Sequence, residues 1–257
     1  MPASQHRKQE KYHALLQSGQ KITLACTDGV LETAEQCRRL GTTVHTYEVD
    51  CSQREDIYRT AEKVKNEVGD VSILVNNAGV VVCTELLNIK DDQIQRTFDV
   101  NIMAHFWTTK AFLPAMLKNN HGHVVTVASI CGHLPLPQLV DYCSSKFAAV
   151  GFHIALTAEL AGLGKNGIKT SCLCPVFINT GFVRNPRSRL WPILKPEYVV
   201  KELMDGILTN KKMIFAPPSA RFFVLMERIF PERFMAAVNK LQDAYCEGPV
   251  QRADKEK

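Results

Sequence analysis

The sequence predicts an α/β fold with a doubly wound parallel sheet whose first strand is missing or replaced. Three observations lead there. Strand-like and helix-like patterns alternate from residue 21 to about residue 217, the order that gives parallel pairing. Several strands are continuous apolar runs, the kind covered on both faces. Polar and turn-forming residues stand directly after those runs, where sheets of this kind take their ligands.

The elements follow in order. "KITLAC" (21–26) reads as a strand. In 28–41, Val30, Leu31, Ala34, Cys37 and Leu40 share one helical face, and Gly41 stops the helix. "TTVHTYEVD" (42–50) is β-branched and strand-like. Ser52 and Glu55 have the spacing of a capping box for a helix over 53–68. "VSILVNN" (71–77) is a short buried strand, and 91 to about 118 is helical. "HVVTVAS" (123–129), a helix over about 139–161 and "IKTSCLCP" (168–175) come next. Helix 196–208, strand "MIFAP" (213–217) and a helical tail from 219 to about 246 complete the chain. The domain plan is a polar segment over 1–20, a ligand-binding and catalytic domain over 21–218, and a helical tail over 219–257.

Composition narrows the function. The 257 residues are 46% hydrophobic, enough for one sizeable core. The net charge of +5 is spread along the chain, so nucleic acid is not an expected partner. Nine cysteines stand at irregular spacings. Cys172 and Cys174 form a C-x-C without an accompanying histidine cluster, which is not a zinc spacing. They read as core thiols of a chain in a reducing compartment. The first 21 residues contain no apolar run fit for a signal peptide or a membrane span.

The strand ends carry the chemistry. Asn76, Asn77, Ala78 and Gly79 follow the strand at 71–75, small enough for a flat ligand to approach the backbone. Ser129 ends another strand, Pro175 a third, with Thr180 just beyond, and Asp50 ends a fourth. In "DYCSSKFAAVGF" (141–152), Tyr142 and Lys146 are four residues apart and share a helix face. A free tyrosine has a pKa of about 10 and is a poor acid or base at neutral pH. A neighbouring ammonium favours the phenolate and lowers that value. With Ser129 holding an oxygen, the pair could move a proton on or off an alcohol. One Y-x-x-x-K alone would mean little. With Ser129 thirteen residues upstream and "NNAG" after another strand, coincidence is a poor explanation.

Together with Asn101 in "FDVNIMAHFW", these residues resemble the short-chain dehydrogenase/reductase family, with its Rossmann-like fold. "GDVSILVNNAGVV", "GHVVTVASICGH", "KTSCLCPVFINTGF" and "LTNKKMIF" narrow the likeness to its 17-beta-hydroxysteroid dehydrogenase branch, over about residues 27 to 235. The resemblance implies that Tyr142 is the acid/base, that Lys146 lowers its pKa and binds the nicotinamide ribose, and that Ser129 orients the substrate oxygen. Asn101 would hold a helix irregularity and a water. Asp50 would contact the adenine, Asn77, Ala78 and Gly79 the adenosine ribose side, and Pro175 and Thr180 the carboxamide end. Asp28 is the candidate for selecting NAD over NADP. The implied cofactor is NAD, with NADP less favoured, and no metal. The implied partners are a lipophilic alcohol or ketone, such as a steroid 17β-alcohol or retinol, and a second copy of the chain. The branch sits on membranes and lipid droplets, so a lipid-droplet or endoplasmic-reticulum surface is expected, or the cytoplasm if the missing apolar anchor is genuine.

The family's T-G-x-x-x-G-I-G loop, whose glycines let backbone N–H groups reach a pyrophosphate, has no counterpart before residue 28. Gly162, Gly164 and Gly167 spell G-x-G-x-x-G, but after a helix and before a strand, the reverse of the required order. They read as a helix stop and loop. Val176 stands where many relatives have glycine. The first strand of such a sheet is central, so its loss would expose backbone groups unless residues 21–26 slide into its place. A second expectation therefore stands beside the enzyme: a non-catalytic truncated chain that dimerises or sits on lipid surfaces.

Overall fold

The computed structural model describes residues 21–25, 30–39, 41–231, 233 and 243–247. The chain divides into two compact units, residues 1–70 and 71–257.

The first unit holds β1 (Lys21–Ala25), α1 (Val30–Arg39), β2 (Thr43–Tyr47) and α2 (Arg54–Glu67). β1 and β2 are parallel, in register from Lys21 opposite Thr43 to Ala25 opposite Tyr47. Gly41 turns the chain out of α1 with φ at +82°, a region glycine enters without steric cost. α2 buries Ile57, Ala61 and Val64, one stripe at helical spacing. The capping box is not formed. Asp50 Oδ1 accepts from both the Ser52 N–H (2.9 Å) and its hydroxyl (2.7 Å), and Glu55 pairs with Arg54 at 2.7 Å. A carboxylate two residues upstream competes with the helix end for the serine, and Gln53 becomes the N-cap without a side-chain bond.

The second unit holds β3 (Ile73–Asn76), α3 (Asp91–Phe98), a π turn (Asp99–Met103), α4 (Ala104–Asn119), β4 (Gly122–Val127) and α5 (Val140–Gly162). It continues with β5 (Ile168–Pro175), β6 (Arg184–Arg187), α6 (Pro196–Leu208), β7 (Met213–Ala216), α7 (Ala220–Ile229) and β8 (Tyr245–Glu247). Its main sheet runs β3-β4-β5-β7, with every neighbouring pair parallel. One lateral row crosses it: Asn76 opposite Thr126 on β4, Thr126 opposite Cys172 on β5, Cys172 opposite Met213 on β7. Paired residues of a parallel sheet face the same side. On that side Val124 packs with Met116 of α4, Leu156 and Leu160 of α5, and Ile168. A larger core gathers Val81, Ala128, Cys131, Cys143, Leu173, Trp191, Leu194 and Val224.

β1 pairs with β2, and among the described residues β3 pairs only with β4. The side chains of Ile73 and Val75 on β3 are 44% and 45% exposed. The tail differs from the sequence reading. α7 ends at Ile229 because Phe230 precedes a proline, which disfavours helical backbone, and Phe230 is extended (ψ 149°). Tyr245–Glu247 then pairs antiparallel with β6, and Asn185 Nδ2 donates to Glu247 Oε2 at 2.9 Å. The tail thus clips onto the 182–195 segment. Gly162, Gly164 and Gly167 form the expected helix stop: α5 ends there, Gly164 has φ at +68°, and a Cβ at Gly167 would run into the Asn120 carbonyl.

Candidate active site

The site grows from the carboxyl ends of β3, β4 and β5. β4 leads through Val127 and Ala128 to Ser129, whose extended backbone opens a short 3-10 turn over Ile130–Gly132. Ser129 Oγ accepts from the Cys131 N–H at 3.1 Å, which fixes the hydroxyl oxygen at the strand end. α5 brings Tyr142 into its first turn, with its phenol near enough to the Ser129 side chain for the two to interact. Lys146 lies one helical turn on and is buried, with Nζ 5.7 Å from the centroid of the Tyr142 ring.

Asn101 sits in the π turn between α3 and α4 and is fully buried. Its Oδ1 accepts from the Val80 N–H (2.8 Å), and its Nδ2 donates to the Val80 carbonyl (2.9 Å) and to Ser145 Oγ (2.9 Å). One amide therefore ties the loop after β3 to the helix carrying Tyr142 and Lys146. Asn76 is held to α4: Thr108 Oγ1 donates to its Oδ1 at 2.6 Å, and its Nδ2 donates to Thr109 Oγ1 at 3.3 Å. Gly79 follows. A Cβ there would stand 3.6 Å from Asn101 Oδ1 and 3.8 Å from Lys146 Nζ, so "NNAG", Asn101 and Lys146 meet at one point. Asn77 is exposed, and Ala78 and Gly79 are half-buried.

The charges differ from the sequence expectation in one respect. Lys146 was expected to lower the Tyr142 pKa. Instead its ammonium donates to the Val127 carbonyl at 2.8 Å. Burial raises Tyr142 well above the ordinary tyrosine value, the neighbouring Cys131 thiol adds to this, and the Ser129 side chain pulls against it. The phenol is therefore protonated in this state. Burial lowers Lys146 to about 8, because a charged amine loses hydration in the interior.

At the end of β5, Pro175 is buried and Val176 donates its N–H to the Ala216 carbonyl at 2.9 Å. Thr180 is exposed, and its Oγ1 accepts from the Phe182 N–H at 3.4 Å. The Phe182 ring lies 6.2 Å from that of Tyr142, so the segment after Thr180 passes beside the phenol. Trp191 of the same segment packs edge-on against Phe223 of α7 at 4.5 Å. Asp50 belongs to the first unit and holds Ser52 as described. Asp28 lies outside the described residues.

Sequence reasoning missed two pairs of residues and one histidine near the site. The Cys131 thiol acts on Cys143 and lowers its pKa, and both thiols act on Tyr142. Thr97 donates to the buried Asp141 carboxylate at 2.9 Å, tying α3 to the start of α5. His105, four residues after Asn101, is buried beside Lys146. That i, i+4 spacing was visible in the sequence. The thiol pair and the Thr97–Asp141 bond join positions 12 and 44 apart, a separation no local pattern reports.

A buried serine, a phenol and an amine at the ends of parallel strands make a device for moving a proton on and off an oxygen. Residues 10–191 match the short chain dehydrogenase family. The chain belongs to that family of oxidoreductases. Human 17-beta-hydroxysteroid dehydrogenase 13 is 60% identical over 222 residues, covering 86% of this chain and 74% of that protein. Mouse estradiol 17-beta-dehydrogenase 11 is 64% identical over 208 residues, covering 81% and 70%. Among solved structures, a short chain dehydrogenase/reductase from Burkholderia phymatum in complex with NAD superposes with a TM-score of 0.74 at 22% identity, covering 95% of this chain and 92% of that one. A metagenomic short-chain oxidoreductase in complex with NADP gives 0.58 at 25% identity, covering 63% and 74%.

Proposed function

We propose that the chain interconverts a lipophilic secondary alcohol and its ketone, in the steroid 17β-alcohol class, with NAD as the preferred nicotinamide cofactor. The observation that carries this reading is the grouping on α5: Lys146 Nζ lies 5.7 Å from the centroid of the Tyr142 ring, and the Ser129 side chain acts on the same phenol. The relatives named as 17-beta-hydroxysteroid and estradiol dehydrogenases support the substrate class. Phe182, its ring 6.2 Å from that of Tyr142, supplies apolar surface suited to such a molecule.

The residues around Lys146 fit the nicotinamide ribose. Gly79 leaves the space beside Nζ and Asn101 Oδ1 free of a side chain, and Lys146 has N–H groups beyond the one on Val127. Pro175 and Thr180 would hold the carboxamide end, while Asn77 and Ala78 would lie toward the adenosine. When bound, the cofactor supplies or takes the hydride. Ser129 orients the substrate oxygen, Tyr142 gives or takes its proton, and Lys146 returns the phenol to its starting state. Asn101 holds the loop after β3 against α5 so that these groups stay aligned. A homodimer through α4 and α5 belongs to the same reading, where Phe106, Phe147 and Ile154 are exposed. So does contact with a lipid surface. Among the described residues no helix is long and apolar enough to cross a membrane.

A second reading is a chain that keeps these side chains but holds cofactor poorly. Among the described residues β3 pairs only with β4, which favours it, since a further strand is expected on the other edge. Titrating NADH into the full chain while following its fluorescence separates the two. Saturable binding, with NADPH weaker, supports the enzyme. A cooperative melt with no binding supports the second reading.

A further inference from the structure

His105 is 1% exposed, and neither ring nitrogen has a partner among the described residues. Thr126 Oγ1, also 1% exposed, has none either. Buried polar atoms of native proteins are nearly always paired, with protein or with ordered water.

Three lines of geometry bring these two residues to one place. Thr126 is opposite Asn76 in the lateral row of the sheet and faces the same side. Asn76 touches Thr108 and Thr109, and His105 lies one turn before them on α4, on the same helix face. On its other side Thr126 is opposite Cys172. The Lys146 ammonium lies within electrostatic reach of both the Cys172 thiol and the His105 ring. The seam between sheet and helices therefore runs from Asn76 past Thr126 and His105 to the amine behind Tyr142.

We propose that His105 and Thr126 hold ordered water in this seam and that His105 is thereby a positioning residue for Lys146. The catalytic half of the inference rests on the oxidoreductase reading above; the structural half does not. Burial and the lysine keep the imidazole neutral, so it offers one donor and one acceptor. The threonine hydroxyl offers both as well. A buried water needs two to four polar partners, and this pair together with a Lys146 N–H supplies them. Water held there gives the amine a second partner besides the Val127 carbonyl and fixes its direction toward the phenol.

The test is a double-mutant cycle in urea, on the full chain without cofactor, with His105→Phe and Thr126→Val. Shared water makes the two substitutions non-additive, by about tenfold in the unfolding equilibrium constant. Additive effects overturn the proposal. Thr126→Val is near-isosteric, and if His105→Phe does not fold, His105→Leu takes its place. In turnover assays His105→Phe is expected to lower kcat with KM unchanged, and His105→Gln to recover most of the loss. Equal kcat in wild type and His105→Phe overturns the positioning role. A wild-type chain without turnover overturns the oxidoreductase reading and with it the positioning role, while the urea cycle still decides whether the water is shared.

Discussion

Acid should weaken this protein through one buried ring. His105 is held neutral down to about pH 3, mainly by burial and secondarily by the Lys146 charge. A histidine in the unfolded chain binds its proton near pH 6.5. Below 6.5 the unfolded state gains a proton that the native state refuses, so stability contributed by His105 is present above 6.5 and lost as pH falls toward 3. One pH unit of that window is worth about 1.4 kcal/mol. From pH 7 to pH 4.5 the loss from this ring alone is about 2–3 kcal/mol, a large share of the about 5–15 kcal/mol usual for a domain. His153, lowered to about 4 by burial, adds its own loss, as do carboxylates, and these cancel when two variants are compared. Urea unfolding at pH 7 and 4.5 should therefore show His105→Gln losing about 2–3 kcal/mol less than wild type over that interval. Parallel losses in the two proteins would refute the reasoning, because they would mean that His105 titrates alike in both states.

Lys146 titrates in the opposite range. Its amine is lowered to about 8 by burial, so between pH 8 and about 10.5 the native state releases a proton that the unfolded state keeps. Stability relative to Lys146→Met should rise by up to about 3 kcal/mol across that window and stay flat below it, as read by urea unfolding at pH 7.5 and 10. Gly167→Ala should cost about 1–3 kcal/mol, since its Cβ meets the Asn120 carbonyl and backbone must shift. A melting temperature equal to wild type would show that the loop moves freely.

The alternation of apolar runs and helical faces marks the α/β class because each strand of a parallel sheet writes its burial into consecutive residues. Residues 196–208 were legible to the residue, with Pro196 at the first helical position. The π turn at Asp99–Met103 stands where the family resemblance places a helix irregularity. Other features were illegible for physical reasons. The Ser52–Glu55 spacing looked like a cap, but local competition from Asp50 redirected the serine. The tail looked helical from its apolar and basic alternation, yet its last strand depends on a partner some sixty residues earlier, Arg184–Arg187. At the site, Tyr142 and Lys146 were readable from helical spacing. Where the ammonium points was not, because it depends on the Val127 carbonyl of another element.

Removing one oxygen atom reaches the heart of the site. The measurement is NADH formation from a steroid 17β-alcohol by wild type and by Tyr142→Phe, with melting temperatures recorded for both. General acid–base catalysis contributes about 10²- to 10⁴-fold, so the variant should fold like wild type, bind NADH, and turn over at least about a hundredfold more slowly. Turnover by Tyr142→Phe at the wild-type rate would contradict the assignment of the proton to that phenol.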